Sequence, residues 1–288
     1  MQLPFTNFRV LPNVAVSLID STFRPWSILK HCSRAQCYIV TLVLIPGIFI
    51  FQLCVVYPNL VEMLEVGTEK QIMHLCLALF CFINVVGNMI FSIFIDPSLK
   101  TPVYGEGTYC EYCRMARPAK SWHCRRCNVC IVKRDHHCMF LGRCVGLKNQ
   151  RYFILFLGHV MVSMTYATYY NYFFVALKFE DNGWVLSAFR IVNPLLRFVV
   201  PEPMGIKDLY VSYLFMNVAL IIWSGSLFFF HIRNVVMGVT SYESTKFPEL
   251  MDSYRWKQNL LNVFGTRWYM AIVWPLADSP FPDDDKNP

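Results

Sequence analysis

The chain has 288 residues, 55% hydrophobic and only 16% charged, with a net charge of +7. Soluble domains carry about a quarter charged residues, so this composition excludes an ordinary water-soluble domain and makes a bilayer part of the solvent. The basic surplus suits nucleic acid, anionic lipid or a phosphate-bearing cofactor, and its position along the chain decides among them.

The N-terminal segment 1–34 is interrupted by Arg9, Asp20, Arg24 and prolines and has no clean apolar core, so no cleavable signal peptide is read there. Four stretches free of Asp, Glu, Lys and Arg follow: Ala35–Val61, Gln71–Ile95, Tyr152–Leu177 and Leu209–Ile232. Each exceeds the ~20 residues a helix needs to cross ~30 Å of hydrocarbon. A single such run could be a buried core helix. Four in one short chain predict a multi-pass bundle, since a spanning helix satisfies its own backbone. Pro46 predicts a kink in the first helix. Asn84, Asn88 and His159 are read as polar glue between helices, without chemical roles.

Lys and Arg in the connections set the orientation. The N-terminal segment carries four, the first connection one, the central connection Asp96–Arg151 eleven, the third (178–208) four against four acids, and the tail six. Both termini and the central connection are therefore expected in the cytosol, with 178–208 lumenal. Basic charge beside an anionic leaflet argues for membrane apposition and against nucleic acid. Trp268–Ala277 is apolar but too short to span and is read as an interfacial element. Ser279–Pro288, rich in Pro and Asp, is read as disordered. The expected layout is a cytosolic segment 1–34, helices 1 and 2 in 35–95, a Cys-rich domain in 96–151, helices 3 and 4 in 152–232, and a cytosolic segment 233–288.

Seven of the twelve cysteines fall between Cys110 and Cys144. They are arranged Cys110-x2-Cys113-x9-His123-Cys124-x2-Cys127-x2-Cys130-x6-His137-x6-Cys144. Paired Cys-x2-Cys knuckles with further Cys and His read as zinc binding, and a reducing cytosol disfavours disulfides. The segment has few large apolar residues and needs metal to fold. Ten Cys and His side chains lie in this window, and two closed tetrahedral sites use eight. The surplus concentrates in Asp135-His136-His137-Cys138, where a thiol, imidazole and carboxylate have the composition of an activated cysteine site. Spacing alone leaves Cys138 equally readable as a zinc ligand. Its proximity to the third span favours a nucleophile at the membrane–cytosol boundary, within reach of a soluble cofactor and of an acyl chain in lipid.

Asp135-His136-His137-Cys138, with Arg117-Pro118-Ala119-Lys120 and His123-Cys124 upstream and Cys144 and Asn149 downstream, resembles the DHHC family of protein S-acyltransferases. Asn259 with Phe264-Gly265 is similar to the family's C-terminal element. The compact length and Trp274-Pro275 are similar to the branch of the animal member numbered twenty-four. The resemblance implies an all-α multi-pass membrane protein: four transmembrane helices with a cytosolic zinc-stabilised Cys-rich domain between helices 2 and 3. It implies two structural zincs, one on Cys110, Cys113, His123 and Cys130, the other on Cys124, Cys127, His137 and Cys144. Asp135, His136 and Cys138 become the catalytic set.

The implied reaction is ping-pong transfer of a palmitoyl-like group from acyl-CoA (palmitoyl-CoA) to cysteine-bearing protein substrates at the cytosolic membrane face, in an endomembrane such as Golgi or endoplasmic reticulum. Departures from the family pattern are Met139 and Phe140 after the catalytic Cys, Arg143 before the last ligand, Asp96-Pro97-Ser98, and Thr240-Ser241-Tyr242-Glu243. The alternative reading is a catalytically silent membrane scaffold recruiting partners through its zinc domain. A RING-type ligase fits less well, because its ligand order places Cys-x-His centrally and His123-Cys124 does not.

Overall fold

Among the described residues of this computed structural model, four helices are long and apolar enough to cross a membrane: α1 (Leu42–Leu64), α2 (Thr68–Phe94), α3 (Gln150–Lys178) and α5 (Ile206–Val236). A short apolar α4 (Gly183–Val192) lies between the last two. The structure describes residues 39–101, 107–179, 183–193 and 205–282. The segment 1–34, the first residues of the expected first span and part of the 178–208 connection lie outside them. The helices overrun the charge-free runs. Helix α1 takes in Glu62, α2 takes in Glu69 and Lys70, and α5 takes in Lys207, Asp208 and Arg233. Backbone hydrogen bonding continues past the hydrocarbon edge, where long charged side chains reach water.

The expected perturbation at Pro46 takes a particular form. Pro46 and Pro58 each lie in the first turn of an α-helical stretch, Ile45–Phe51 and Tyr57–Leu64, preceded by the π-helical turns Val40–Leu44 and Gln52–Val56. A widened turn accommodates the ring and the N–H that proline lacks. Asn84 and Asn88 differ from expectation. Both are fully buried, yet their amides donate to Phe80 O and Asn84 O of their own helix, at 3.0 and 2.9 Å.

The core runs along α3, which packs against α2 and α5. Phe153, Ile154, Phe156 and Leu157 meet Val85 and Met89 of α2, Val235 of α5, and Cys138 and Val145 of the Cys-rich segment. The Cys-rich segment therefore shares one hydrophobic core with the spans.

Among the described residues, that segment between α2 and α3 is not helical. It holds three antiparallel hairpins: β1 (Thr108–Cys110) with β2 (Met115–Arg117), β3 (Trp122–Cys124) with β4 (Val129–Ile131), and β5 (His136–Cys138) with β6 (Arg143–Val145). Asp96-Pro97-Ser98-Leu99 runs beside β4, with Leu99 N donating to Cys130 O at 2.8 Å. Ser98 caps the turn onto Asp96, its hydroxyl donating to Oδ2 at 2.8 Å. Arg143 reaches back to Ile93 O and to Asp96 Oδ1, the latter at 3.3 Å. Asn149, fully buried, accepts from Gly146 N at 2.9 Å and donates to Ser92 O and Cys144 O at 3.0 and 3.1 Å. One amide thus joins the Cys-rich segment, α2 and the start of α3.

After α5 the chain forms α6 (Ser241–Lys246), α7 (Trp256–Phe264) and α8 (Trp268–Val273). Asn259 donates to Val236 O and Asp252 O, both at 3.0 Å, closing the turn after α5. Helix α8 and the residues after it pack against α3 and α2. Ile272 O meets His159 Nε2 at 2.9 Å, about 14 Å along α3 from its start. Pro275 packs on Gly87 of α2, where an added Cβ would lie 2.6 Å from the proline ring. His159 offers this short segment a hydrogen-bond partner, and Gly87 offers it room. The expected disorder from Ser279 onward is also corrected. Ser279 is buried, donates to Phe264 O and accepts from Arg151 through its own carbonyl, both at 2.7 Å, so the chain is packed to that point. Residues 283–288 lie outside the described residues.

Candidate metal centres and catalytic site

Hairpin register assembles two four-residue groups. In the β3–β4 hairpin His123 is directly opposite Cys130, and in the β5–β6 hairpin His137 is directly opposite Cys144. Cys110, Cys113, His123 and Cys130 bring their ligand atoms within 4.8 Å of one another, and so do Cys124, Cys127, His137 and Cys144. Successive side chains on a strand point to opposite faces. His123 and Cys124 therefore serve different groups.

The donor sets fit zinc. A tetrahedron with ~2.3 Å Zn–S bonds has S···S edges of about 3.8 Å. Cys113 Sγ and Cys130 Sγ lie 3.7 Å apart, as do Cys127 Sγ and Cys144 Sγ. His123 Nδ1 is 3.3 Å from Cys113 Sγ, and His137 Nδ1 lies 3.3 Å from Cys127 Sγ and 3.6 Å from Cys124 and Cys144. Three sulfurs and an imidazole this close, largely buried, need a cation to share their lone pairs. An ion in each group would staple hairpins too small to hold themselves.

The same alternation separates the remaining groups. On β5 His137 faces its metal group, so His136 and Cys138 point to the opposite face. Cys138 belongs to neither four-residue group and is buried in the core shared with Phe153 and Phe156. The Asp135 side chain is fully buried, and His136 Nδ1 lies 2.6 Å from its Oδ2. An ionised carboxylate only accepts, so Nδ1 carries the proton and Nε2 is left for the thiol side.

Asp135 is held from the tail as well. Ser241 N donates to Oδ1 and Ser241 Oγ to Oδ2, both at 2.8 Å across 106 residues of sequence. Ser241 opens α6, whose start is a capping box. Glu243 Oε2 accepts from Thr240 N at 2.9 Å, and Thr240 Oγ1 accepts from Glu243 N at 3.2 Å. Lys120 of the Cys-rich segment lies 3.9 Å from Glu243, clamping α6 against it. A further imidazole, His231 of α5, stands 3.5 Å from Asp135 Oδ2.

Burial works to raise the Asp135 pKa, but the His136 hydrogen bond, the His136 and His231 charges and the Ser241 N–H outweigh it and hold the carboxyl below its usual range. Burial works to lower the His136 pKa. The Asp135 hydrogen bond, the contact with Cys138 and the charges of both prevail and push it up to about 9. The arrangement favours a carboxylate–imidazolium pair held beside the Cys138 sulfur, the grouping that an activated cysteine site uses.

Phe140 sits between the site and the spans, 6.1 Å from the Phe156 ring and 5.8 Å from that of Trp223. Below it an apolar cavity of about 230 Å³ is lined by residues including Ile45, Val85, Val160 and Met164. Met139 meets Arg126 of the β3–β4 turn.

Sequence reasoning gave no role to His231 or Ser241. The spacing from Thr240 to Glu243 fits a capping box, a signal for a helix start that says nothing of what the start touches. A lone His at the end of an apolar span carries no signal that separates it from packing.

A family model described as DHHC palmitoyltransferase matches residues 103–248. Among curated proteins, the chain is 28% identical over 218 residues to probable palmitoyltransferase ZDHHC24 of Rattus norvegicus, covering 74% of this chain and 76% of that one. Against the Homo sapiens protein of the same name it is 28% identical over 225 residues, 76% of this chain and 78% of the other. Against palmitoyltransferase swf1 of Schizosaccharomyces pombe it is 33% identical over 144 residues, 49% and 37% of the two chains.

Proposed function

Because the chain belongs to the DHHC palmitoyltransferase family and is a protein S-acyltransferase, we propose that Cys138 is its nucleophile, His136 its general base and acid, and Asp135 the group that orients His136. The observation that carries this is the 2.6 Å Asp135–His136 contact on the strand face that Cys138 shares and His137 does not. The donor is a long-chain acyl-CoA. His136 Nε2 takes the Cys138 proton, and the sulfur attacks the thioester carbonyl. The bond from that carbonyl to the coenzyme sulfur breaks, and His136 returns its proton to the departing thiolate. In the second half, a substrate thiol gives its proton to His136 and attacks the acyl–Cys138 thioester. Cys138 leaves as thiolate and recovers the proton.

Cys110, Cys113, His123 and Cys130 hold one zinc and Cys124, Cys127, His137 and Cys144 the other. Bound there, zinc supplies folding energy and takes no part in the transfer. The cavity under Phe140 receives the acyl tail, where each buried CH₂ contributes ~0.8 kcal/mol and long chains gain most. The segments 1–34, 96–151 and 233–288 face the cytosol of an endomembrane, Golgi or endoplasmic reticulum, as the basic charge in the connections supports. The substrates are then cysteine-bearing proteins at the cytosolic membrane face.

The test is labelling of purified protein with long-chain acyl-CoA. A hydroxylamine-sensitive acyl group is expected on the wild type and none on Cys138→Ser. Full thioester labelling of Cys138→Ser would place the nucleophile elsewhere.

A further inference from the structure

The charge balance around Asp135 includes a group the transfer mechanism does not use. His231 lies near the end of α5, is almost fully buried at 4% exposure, and stands with its Nδ1 3.5 Å from Asp135 Oδ2. Asp135, His136 and His231 offer one polar atom each within 4.8 Å of one another. The His136 ring is one corner of a triangle of rings, with His231 at 5.3 Å and inclined by 30°, and Phe153 at 5.2 Å and inclined by 63°. Phe153 in turn meets the edge of His231 at 5.1 Å and 88°. Phe153 belongs to α3 and His231 to α5, so two spanning helices frame the imidazole.

We infer that His231 is a positioning residue for acyl transfer: its Nδ1–H steadies Asp135 Oδ2, and its ring holds the plane of His136, so that His136 Nε2 faces Cys138. The inference rests on the roles proposed above for Asp135, His136 and Cys138. Three observations carry it. A buried carboxylate needs donors: Oδ2 is hydrogen-bonded to His136 and Ser241, and His231 Nδ1, carried by a spanning helix, stands 3.5 Å from the same oxygen. His136 is attached to a short strand and cannot fix its own ring, whereas α3 and α5 are long and packed against each other. A His on a span that only packed would have no reason to turn a ring nitrogen to the fully buried Asp135 carboxylate. The consequence is a direct link from the position of the fourth span to the geometry of the base.

The two amide substitutions separate the nitrogen from the ring, because Asn places an N–H near the Nδ1 position and Gln places one near Nε2. The experiment uses the full chain in detergent or nanodiscs. It measures acylation of Cys138 against palmitoyl-CoA concentration, with zinc per chain as the control for folding. His231→Phe keeps a ring and loses the donor. It should lower the maximal rate by about tenfold or more while leaving the acyl-CoA KM within about twofold and two zincs bound. His231→Asn should recover a substantial part of that rate, and His231→Gln should recover less. Wild-type rates in all three would overturn the inference. So would a His231→Phe rate near wild type with Asn and Gln both slowed and zinc retained, which would make His231 a packing ring, or equal losses in all three, which would remove any role for the nitrogen at the Nδ1 position. Loss of zinc from the Asn variant would make it a folding residue and overturn it too. Failure of the underlying roles would look different, because the wild type itself would then carry no label on Cys138.

Discussion

Removing one hydroxyl 106 residues from Asp135 tests whether the tail governs the site. Ser241→Ala deletes the Oγ–H that donates to Asp135 Oδ2 at 2.8 Å and leaves the backbone N–H to Oδ1, also 2.8 Å. A hydrogen bond to a charged group contributes ~1.5–3 kcal/mol net. Oδ2 keeps His136 at 2.6 Å and His231 at 3.5 Å, so the loss belongs at the low end, about 1.5 kcal/mol. If the whole loss falls on the transition state, Cys138 acylation slows about tenfold. If it falls on the folded state, the rate holds and the midpoint of thermal unfolding drops by ~3–6 °C, at the ~2–4 °C per kcal/mol expected for a domain of 150–250 residues. Initial rates of thioester formation and thermal unfolding on the same preparation separate the two. Ser241→Thr keeps the hydroxyl and should sit within about twofold of wild type in both. A Ser241→Ala protein matching wild type in rate and stability would refute the idea that the start of α6 holds the carboxylate.

The neighbouring histidines should fail differently. His136→Ala should retain two zincs by metal analysis and lose about 10²–10⁴ in acylation rate, whereas His137→Ala should lose metal and misfold. Asn149→Ala removes an amide that makes three hydrogen bonds across the Cys-rich segment, α2 and α3. It should destabilise the protein by about 3 kcal/mol, measured as a lowered unfolding midpoint and faster proteolysis of the Cys-rich segment. Glycosylation-acceptor tags inserted in 178–208 should be modified in cells and tags near residue 105 should not; the reverse pattern would invert the proposed orientation.

The four spans could be read from the residues because hydrocarbon imposes a length and a composition that soluble helices do not meet. Their ends were less legible. The hydrogen-bond ladder ignores the charged residues that bound an apolar run, so α5 extends through Lys207 and Asp208. The metal-binding character of 110–144 followed from the cysteine spacing, because thiolates two residues apart converge without long-range help. How those residues divide was a matter of register. Cross-strand pairing sets His123 against Cys130 and His137 against Cys144, and strand alternation turns His136 and Cys138 away from His137. A linear spacing that left Cys138 equally readable as ligand or nucleophile contains no such faces.

Composition, charge and residue spacing determined that the chain lives in a membrane, gathers Cys and His at metal-ligand spacing on a basic connection, and carries a thiol, an imidazole and a carboxylate in one tetrapeptide. Only the tertiary structure decided what surrounds the carboxylate. Ser241 from the tail and His231 from the fourth span reach Asp135 through contacts set by helix packing and by the capping box of α6. Likewise, the tail dips beside α2 and α3 because Gly87 leaves room for Pro275 and His159 meets the Ile272 carbonyl. Each of these contacts joins residues far apart in the chain, and a buried charge takes its donors from whatever the fold brings within about 3 Å, irrespective of sequence distance.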